Sequence, residues 1–214
     1  MARNKKRAER IIKLLKKEYP SANIALNFSS PLELLIATIL SAQCTDERTN
    51  KVTRVLFKKY RTVKDYVGAD LKIFEEDIRQ TGFYRNKTKN IIAACEKIIK
   101  EFDGKVPQKM EDLTSLPGVG RKTANIILTF AFGKIEGIAV DTHVRRLSQR
   151  LGLSKNNNAD RIEQDLMRII PKKSWKDFSI LMIEHGRKIC FARKPLCKKC
   201  VIKYICPSFD YFTK

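Results

Sequence analysis

Apolar residues recur along this chain at helical rather than alternating spacing, and glycines, prolines and short polar clusters cut the pattern into short helical lengths. No segment alternates long enough to read as a strand, so the pattern predicts an all-α protein. Ser30 before Pro31, with Glu33 three positions after Ser30, reads as a capping box with proline at the first helical position. It opens a helix through Leu34, Leu35, Ile39 and Leu40. Further helices are predicted over 46–60, 70–80, 87–102, 108–115, 121–132, 142–151, 159–170 and 175–187. The run Asn156 to Asn158 reads as a loop ending in an N-cap. Near the N-terminus Ile11, Ile12, Leu14 and Leu15 are interrupted by Lys13 and Lys16, which does not resemble a signal peptide, and no membrane span follows.

Composition and charge then narrow the picture. The 214 residues, 43% of them hydrophobic, can bury one substantial core or two modest ones, which argues against disorder. The balance of 44 Lys plus Arg against 23 Asp plus Glu leaves +21, a field that attracts a polyanion. Nucleic acid is the default partner, although charge alone would also suit an anionic membrane surface or a basic protein without a specific ligand. The first seventeen residues carry eight basic residues and one acid, Glu9; the stretch from His185 onward carries eight and one, Asp210. That symmetry suggests that the two ends lie together.

Four of the six cysteines, Cys190, Cys197, Cys200 and Cys206, are spaced C-x6-C-x2-C-x5-C in a stretch rich in lysine and arginine. Four soft sulfurs at such spacing can cage one zinc or one iron–sulfur cluster. A disulfide framework would mark a small secreted domain, whereas the expectation here is a soluble intracellular protein. Glu184 and His185 read as structural or supporting groups, because the thiolates already fill four positions. Cys44 and Cys95 read as ordinary buried thiols.

The candidate chemistry lies between two predicted helices. In Leu116-Pro117-Gly118-Val119-Gly120, two glycines in a tight turn leave backbone N–H groups at the start of the next helix, a site suited to a phosphate oxygen. No strand precedes it, which argues against a dinucleotide-binding unit, and the positive charge favours a DNA backbone. Arg121, Lys122, Thr123 and Ala124 follow. The core stripe of this helix is Ala124, Ile127, Leu128 and Ala131, so Lys122 points away from it and is free to face a ligand, where an amine can act as a nucleophile. Asp141, in Ala139-Val140-Asp141-Thr142-His143, reads as the N-cap of the helix through Val144 and Leu147. A capping carboxylate at the edge of a cleft can also oppose a developing positive charge.

Taken together, Leu116 to Ala124, Val140 to His143 and the four-cysteine spacing closely resemble the endonuclease III branch of the helix-hairpin-helix DNA glycosylases, over nearly the whole chain. The resemblance implies a [4Fe-4S] cluster rather than zinc at Cys190, Cys197, Cys200 and Cys206. It implies two helical domains, a six-helix domain over 24–134 that contains the helix-hairpin-helix motif and a cluster domain built from 1–23 and 135–214, with DNA lying across the cleft between them. Lys122 matches the family's nucleophile and Asp141 its essential aspartate. Gln43 matches the residue that fills the vacated base stack, and Phe83 matches a second wedge position that is often leucine. Arg193, Lys194, Lys198 and Lys199, within or beside the cysteine cage, can meet phosphates, as can the turn at Gly118 and Gly120. The implied activity is a bifunctional glycosylase and abasic-site lyase acting as a monomer on oxidised pyrimidines and abasic sites in double-stranded DNA.

Two other readings compete. A monofunctional mismatch glycosylase shares the plan, but that branch generally lacks a lysine at the position of Lys122, and its adenine-specific members place a glutamate where this chain has Thr38. A non-catalytic DNA-binding module would be marked by loss of Lys122 or Asp141, and both are present.

Overall fold

The computed structural model describes residues 2–213, and among these every regular element is helical. In chain order the α-helices are α1 (Ala2–Glu18), α2 (Pro31–Leu40), α3 (Asp46–Lys59), α4 (Val63–Val67), α5 (Leu71–Ile78), α6 (Tyr84–Glu101), α7 (Met110–Thr114), α8 (Arg121–Ala131), α9 (Thr142–Arg150), α10 (Ala159–Ile169), α11 (Trp175–Lys188) and α12 (Phe209–Thr213). The chain divides into two compact units. One runs from Ala25 to Lys134; the other combines the segment up to Ile24 with everything from Ile135 onward.

Within the Ala25–Lys134 unit, α2 is buried at every position from Leu34 to Leu40, which makes it the central helix against which α3, α6 and α8 pack. Its start is fixed by chemistry on both sides of the N-cap. The Ser30 hydroxyl accepts from the Glu33 N–H at 3.2 Å, and the Glu33 carboxylate reaches back to the N–H and hydroxyl of Ser29 at 2.6 and 2.8 Å. The return bond thus lands one residue earlier than in a regular capping box. Thr62 and Asp65 form a full box at the start of α4: the Thr62 hydroxyl accepts from the Asp65 N–H at 3.3 Å, and the Asp65 carboxylate accepts from the Thr62 N–H at 2.9 Å. Tyr60, Tyr66 and Phe74 pack as an aromatic triplet with centroids 5.3–5.9 Å apart.

The periodic pattern misses α1, α4 and α12, the last two only five residues long and too short to show a period, and places the start of α6 three residues late, at 87 instead of Tyr84. The late start has a local cause. Phe83, the N-cap, takes a left-handed conformation (φ 47°, ψ 30°) and makes no side-chain capping bond, so none of the usual start signals is present. Cys95 is fully buried as expected, whereas Cys44 is only half-buried.

In the other unit, α1 turns Ala8, Ile11, Ile12 and Leu15 inward and packs on α10 and α11, leaving Lys13 and Lys16 exposed. The two basic ends therefore belong to one unit. Helices α9 and α11 meet so closely that a Cβ on Gly186 would lie 2.6 Å from His143 Nδ1, and only glycine fits there. The Trp175 indole N–H donates to the Ile170 carbonyl at 2.8 Å, which satisfies its polar edge inside the core. Among the described residues, no helix is long and apolar enough to cross a membrane.

Candidate active site and cysteine cluster

Helices α7 and α8 flank the glycine turn. Leu116 and Val119 are buried and anchor it from below, while Pro117 is half-buried and Gly118 and Gly120 face solvent. Gly118 has φ +78°, and a Cβ placed on it would lie 3.0 Å from the Asn90 Cβ, so this position needs glycine for both conformation and room. Gly120 differs. As N-cap of α8 it has φ −89° and ψ 173°, an ordinary extended conformation, and a Cβ there would meet nothing within 4 Å. The turn is therefore closed on its protein side and open on its outer side, at a helix end whose dipole favours an anion.

Lys122 stands exposed in the first turn of α8, while Ala124, Ile127 and Leu128 are fully buried on the opposite stripe, as the periodicity predicts. Ala131, the fourth predicted core position, is only half-buried. Asp141 caps α9: its Oδ1 accepts from the Val144 N–H at 2.8 Å, and among the described residues its second oxygen has no hydrogen bond. One oxygen thus serves the fold and the other remains available. Behind it, burial depresses the His143 imidazole pKa; Asp141 opposes that shift and Arg146, whose guanidinium lies 3.1 Å from His143 Nδ1, reinforces it.

Gln43 and Phe83 share an unusual property that sequence did not signal. Both are exposed, both belong to the Ala25–Lys134 unit, and both have positive φ, 54° and 47°. A left-handed conformation in a non-glycine residue costs of order 1–3 kcal/mol and persists only where the surroundings enforce it. Phe83 is 66% exposed, so it is a projecting ring rather than a core aromatic. Thr38 is buried, with its hydroxyl donating to the Leu35 carbonyl of its own helix at 2.8 Å.

Cys190, Cys197, Cys200 and Cys206 line one pocket whose other walls are largely apolar, among them Leu147, Ile189, Ile202 and Phe212. Burial pushes the Cys200 thiol up to about 11 and raises Cys197 and Cys206 in the same direction. Thiols held neutral in this way become ligands only when a cation displaces their protons. The pocket is braced by residues for which sequence gave no signal. Arg150 donates to the Cys190 sulfur at 3.3 Å and to the Phe191 and Ala192 carbonyls at 2.7 and 2.8 Å, with its guanidinium 4.3 Å from the centre of the Phe212 ring. Arg146 donates to the Cys190 carbonyl at 2.9 Å and the Gly186 carbonyl at 3.0 Å.

His185, 1% exposed, lies between the Tyr19 hydroxyl at 2.9 Å from Nδ1 and the Cys200 sulfur at 3.3 Å from Nε2. Burial lowers its pKa to about 4, so it is neutral, and its two ring nitrogens face the Tyr19 hydroxyl and the Cys200 sulfur. This is the supporting role expected of it. Arg193, Lys194, Lys198 and Lys199 are all exposed on the loop that carries the cysteines.

A family model described as HhH-GPD superfamily base excision DNA repair protein matches residues 36–172. Over 208 residues the chain is 56% identical to endonuclease III of Synechocystis sp. (strain ATCC 27184 / PCC 6803 / Kazusa), covering 97% of this chain and 95% of that protein. A trapped endonuclease III–DNA covalent intermediate in an estranged-adenine complex has a TM-score of 0.94 at 43% identity, over 98% of this chain and 99% of that one. A non-covalent endonuclease III–DNA complex has a TM-score of 0.92 at 44% identity, over 97% of each. The chain belongs to the endonuclease III family of the HhH-GPD superfamily of base excision DNA repair proteins.

Proposed function

We infer that the protein is a base excision repair DNA glycosylase with abasic-site lyase activity, which removes oxidised pyrimidines from duplex DNA inside the cell. The observation that carries the reading is near full-length similarity to endonuclease III, one relative having been trapped covalently on DNA. The exposed amine of Lys122, on the helix that leaves the glycine turn, supplies the group such a covalent bond needs.

A base stacked in a duplex cannot be reached, so the nucleotide is flipped out at a cost of roughly a few kcal/mol. The projecting side chains Gln43 and Phe83 fill the space it leaves, and their fixed left-handed turns are suited to holding them outward. The neutral Lys122 amine attacks the sugar C1′, a C–N bond forms, and the glycosidic bond breaks with its electron pair leaving on the base. The free oxygen of Asp141 opposes the positive charge that develops at C1′ and helps to take the amine proton. The nitrogen lone pair then forms the imine as the C1′–O4′ bond breaks and the sugar ring opens, O4′ taking up a proton; the imine acidifies the C2′ hydrogen, loss of that proton expels the 3′ phosphate, and hydrolysis of the imine regenerates Lys122. The outer side of the turn at Gly118 and Gly120, together with Arg193, Lys194, Lys198 and Lys199, binds phosphates and gives affinity that falls with salt.

The four cysteines, which line one pocket, fit the [4Fe-4S] cluster that the family resemblance implies, in which each iron would take one sulfur. Bound there, the cluster would supply the cationic centre that keeps the thiols ionised and cross-links the basic loop. One molecule is taken to carry out the whole reaction.

The test is borohydride trapping on duplexes containing one thymine glycol or one abasic site. Covalent adducts with both, lost in Lys122→Gln, are expected. Adduct formation by the variant would assign the nucleophile elsewhere; tight binding without any adduct from the wild type would make the protein a monofunctional glycosylase or a binding module.

A further inference from the structure

Lys87 is a buried lysine that the reaction above does not use. It is 4% exposed and has no carboxylate partner among the described residues, an unusual state for a side chain that normally keeps its ammonium in water. Burial lowers its pKa, partly offset by the nearby Cys44 thiol. Its Nζ donates to two main-chain carbonyls, Leu40 at 2.7 Å and Thr81 at 2.8 Å, and its own N–H donates to the Phe83 carbonyl at 3.1 Å. Leu40 is the last residue of α2, three positions before Gln43, and Thr81 closes the 3-10 turn Arg79–Thr81, two positions before Phe83. A single side chain therefore ties together the roots of both projecting turns.

We propose that Lys87 is a positioning residue, a strut that holds the Gln43 and Phe83 turns in one fixed relation so that the two tips enter the base stack as a pair. The proposal rests on the glycosylase reading above. Two exposed residues in left-handed backbone need their surroundings to enforce that conformation. Lys87 does so from beneath: it satisfies the Leu40 carbonyl, which the end of α2 leaves without a helical partner, and bonds on either side of Gly82. An apolar residue of similar length would fill the same space, but it would leave both carbonyls unpaired and the two turns free to move separately.

The test compares wild type, Lys87→Met and Leu113→Ala, the last a core truncation on α7 of the same unit. Hydrogen exchange is read at 41–45 and 80–84. Excision of thymine glycol is compared with nicking of a preformed abasic site, and 2-aminopurine beside an abasic analogue reports filling of the stack. Lys87→Met is expected to speed exchange in both segments together and to slow base excision by on the order of tenfold to a hundredfold. Nicking of the abasic site, which needs no base extruded, should fall by less than about threefold, and the 2-aminopurine response should weaken.

Lys87→Gln, whose amide can still donate to one carbonyl, should lie between Lys87→Met and wild type, and it is judged by the same readouts if Lys87→Met does not fold. A Lys87→Met pattern matching Leu113→Ala, equal losses on both substrates, or exchange rising in only one turn would overturn the strut. A wild type inactive on both substrates would remove the glycosylase reading, while the exchange comparison would still decide the role of Lys87.

Discussion

The two glycines of the turn between α7 and α8 should respond in opposite ways to the same added methyl group. In Gly118→Ala the new Cβ enters a left-handed conformation, φ +78°, costing about 1–2 kcal/mol. It also lies 3.0 Å from the Asn90 Cβ, an atom fixed to the α6 backbone that cannot rotate away, so the turn or helix must shift at a further cost of about 1–3 kcal/mol. For a chain of 214 residues the sum lowers the melting temperature by on the order of 5–15 °C. In Gly120→Ala the backbone is already extended and no atom lies within 4 Å, so only the modest N-cap preference for glycine over alanine is lost, less than about 1 kcal/mol. That methyl group instead occupies the outer side of the turn, where a phosphate would approach the helix end. Thermal melts, with anisotropy titration of a duplex carrying an abasic analogue at fixed salt, separate the two effects: Gly118→Ala should lose stability, and Gly120→Ala should keep it and lose affinity. A Gly118→Ala protein melting within about 1 °C of wild type would refute the packing argument, and unchanged affinity in Gly120→Ala would refute the phosphate argument.

Asp141→Asn keeps a good capping side chain and should melt close to wild type, yet lose roughly a hundredfold or more in base excision, because the charge is gone while the cap remains. Asp141→Ala should lose the cap as well, about 1 kcal/mol; full activity in the asparagine variant would remove the carboxylate from the mechanism. The Asp65 carboxylate is held below its ordinary value by the N–H groups of Thr62 and Arg61, so its support of α4 is complete above the unfolded carboxylate range and lost as pH falls through the lower folded value. Asp65→Asn should therefore flatten the acid limb of a melting-temperature profile between about pH 5 and 2, and an unchanged limb would count against the box. His185→Phe leaves the Tyr19 hydroxyl and Cys200 sulfur without their shared partner, and should cost about 1–3 kcal/mol. If the proposed cluster is bound, the variant should also hasten bleaching of its absorption band under a chelator; equal bleaching rates would make the chain of hydrogen bonds irrelevant to the cysteine site.

What the sequence revealed and what it hid divide along physical lines. The caps at Ser30, Asp141 and Asn158 are local, with donor and acceptor within three residues of each other, and each is found where the pattern places it. The stripe of α8 follows from period alone, and so does the outward position of Lys122. The helix start at Tyr84 was hidden because strain there replaces the usual capping chemistry. Arg146 and Arg150 reach the Cys190 segment across more than forty residues, and Lys87 reaches Leu40 across forty-seven. In so basic a chain, nothing local distinguishes these cations from those that face solvent. The 66% exposure of Phe83 is likewise set by tertiary packing, since an aromatic residue beside a glycine carries no local signal for core or surface.

The unit built from both ends of the chain imposes an order on synthesis. Helix α1 is made well before its partners: its apolar stripe packs on α10 and α11, and α11 ends only at Lys188. At about 5–20 residues per second, the interval is roughly ten to thirty seconds. Meanwhile the continuous Ala25–Lys134 segment, a compact unit of its own, has already emerged, while the first helix waits with its greasy side uncovered. The four clustered cysteines are translated only after α11. A nascent chain stalled before Cys190 would therefore carry the glycine turn and Lys122 but no cysteine site.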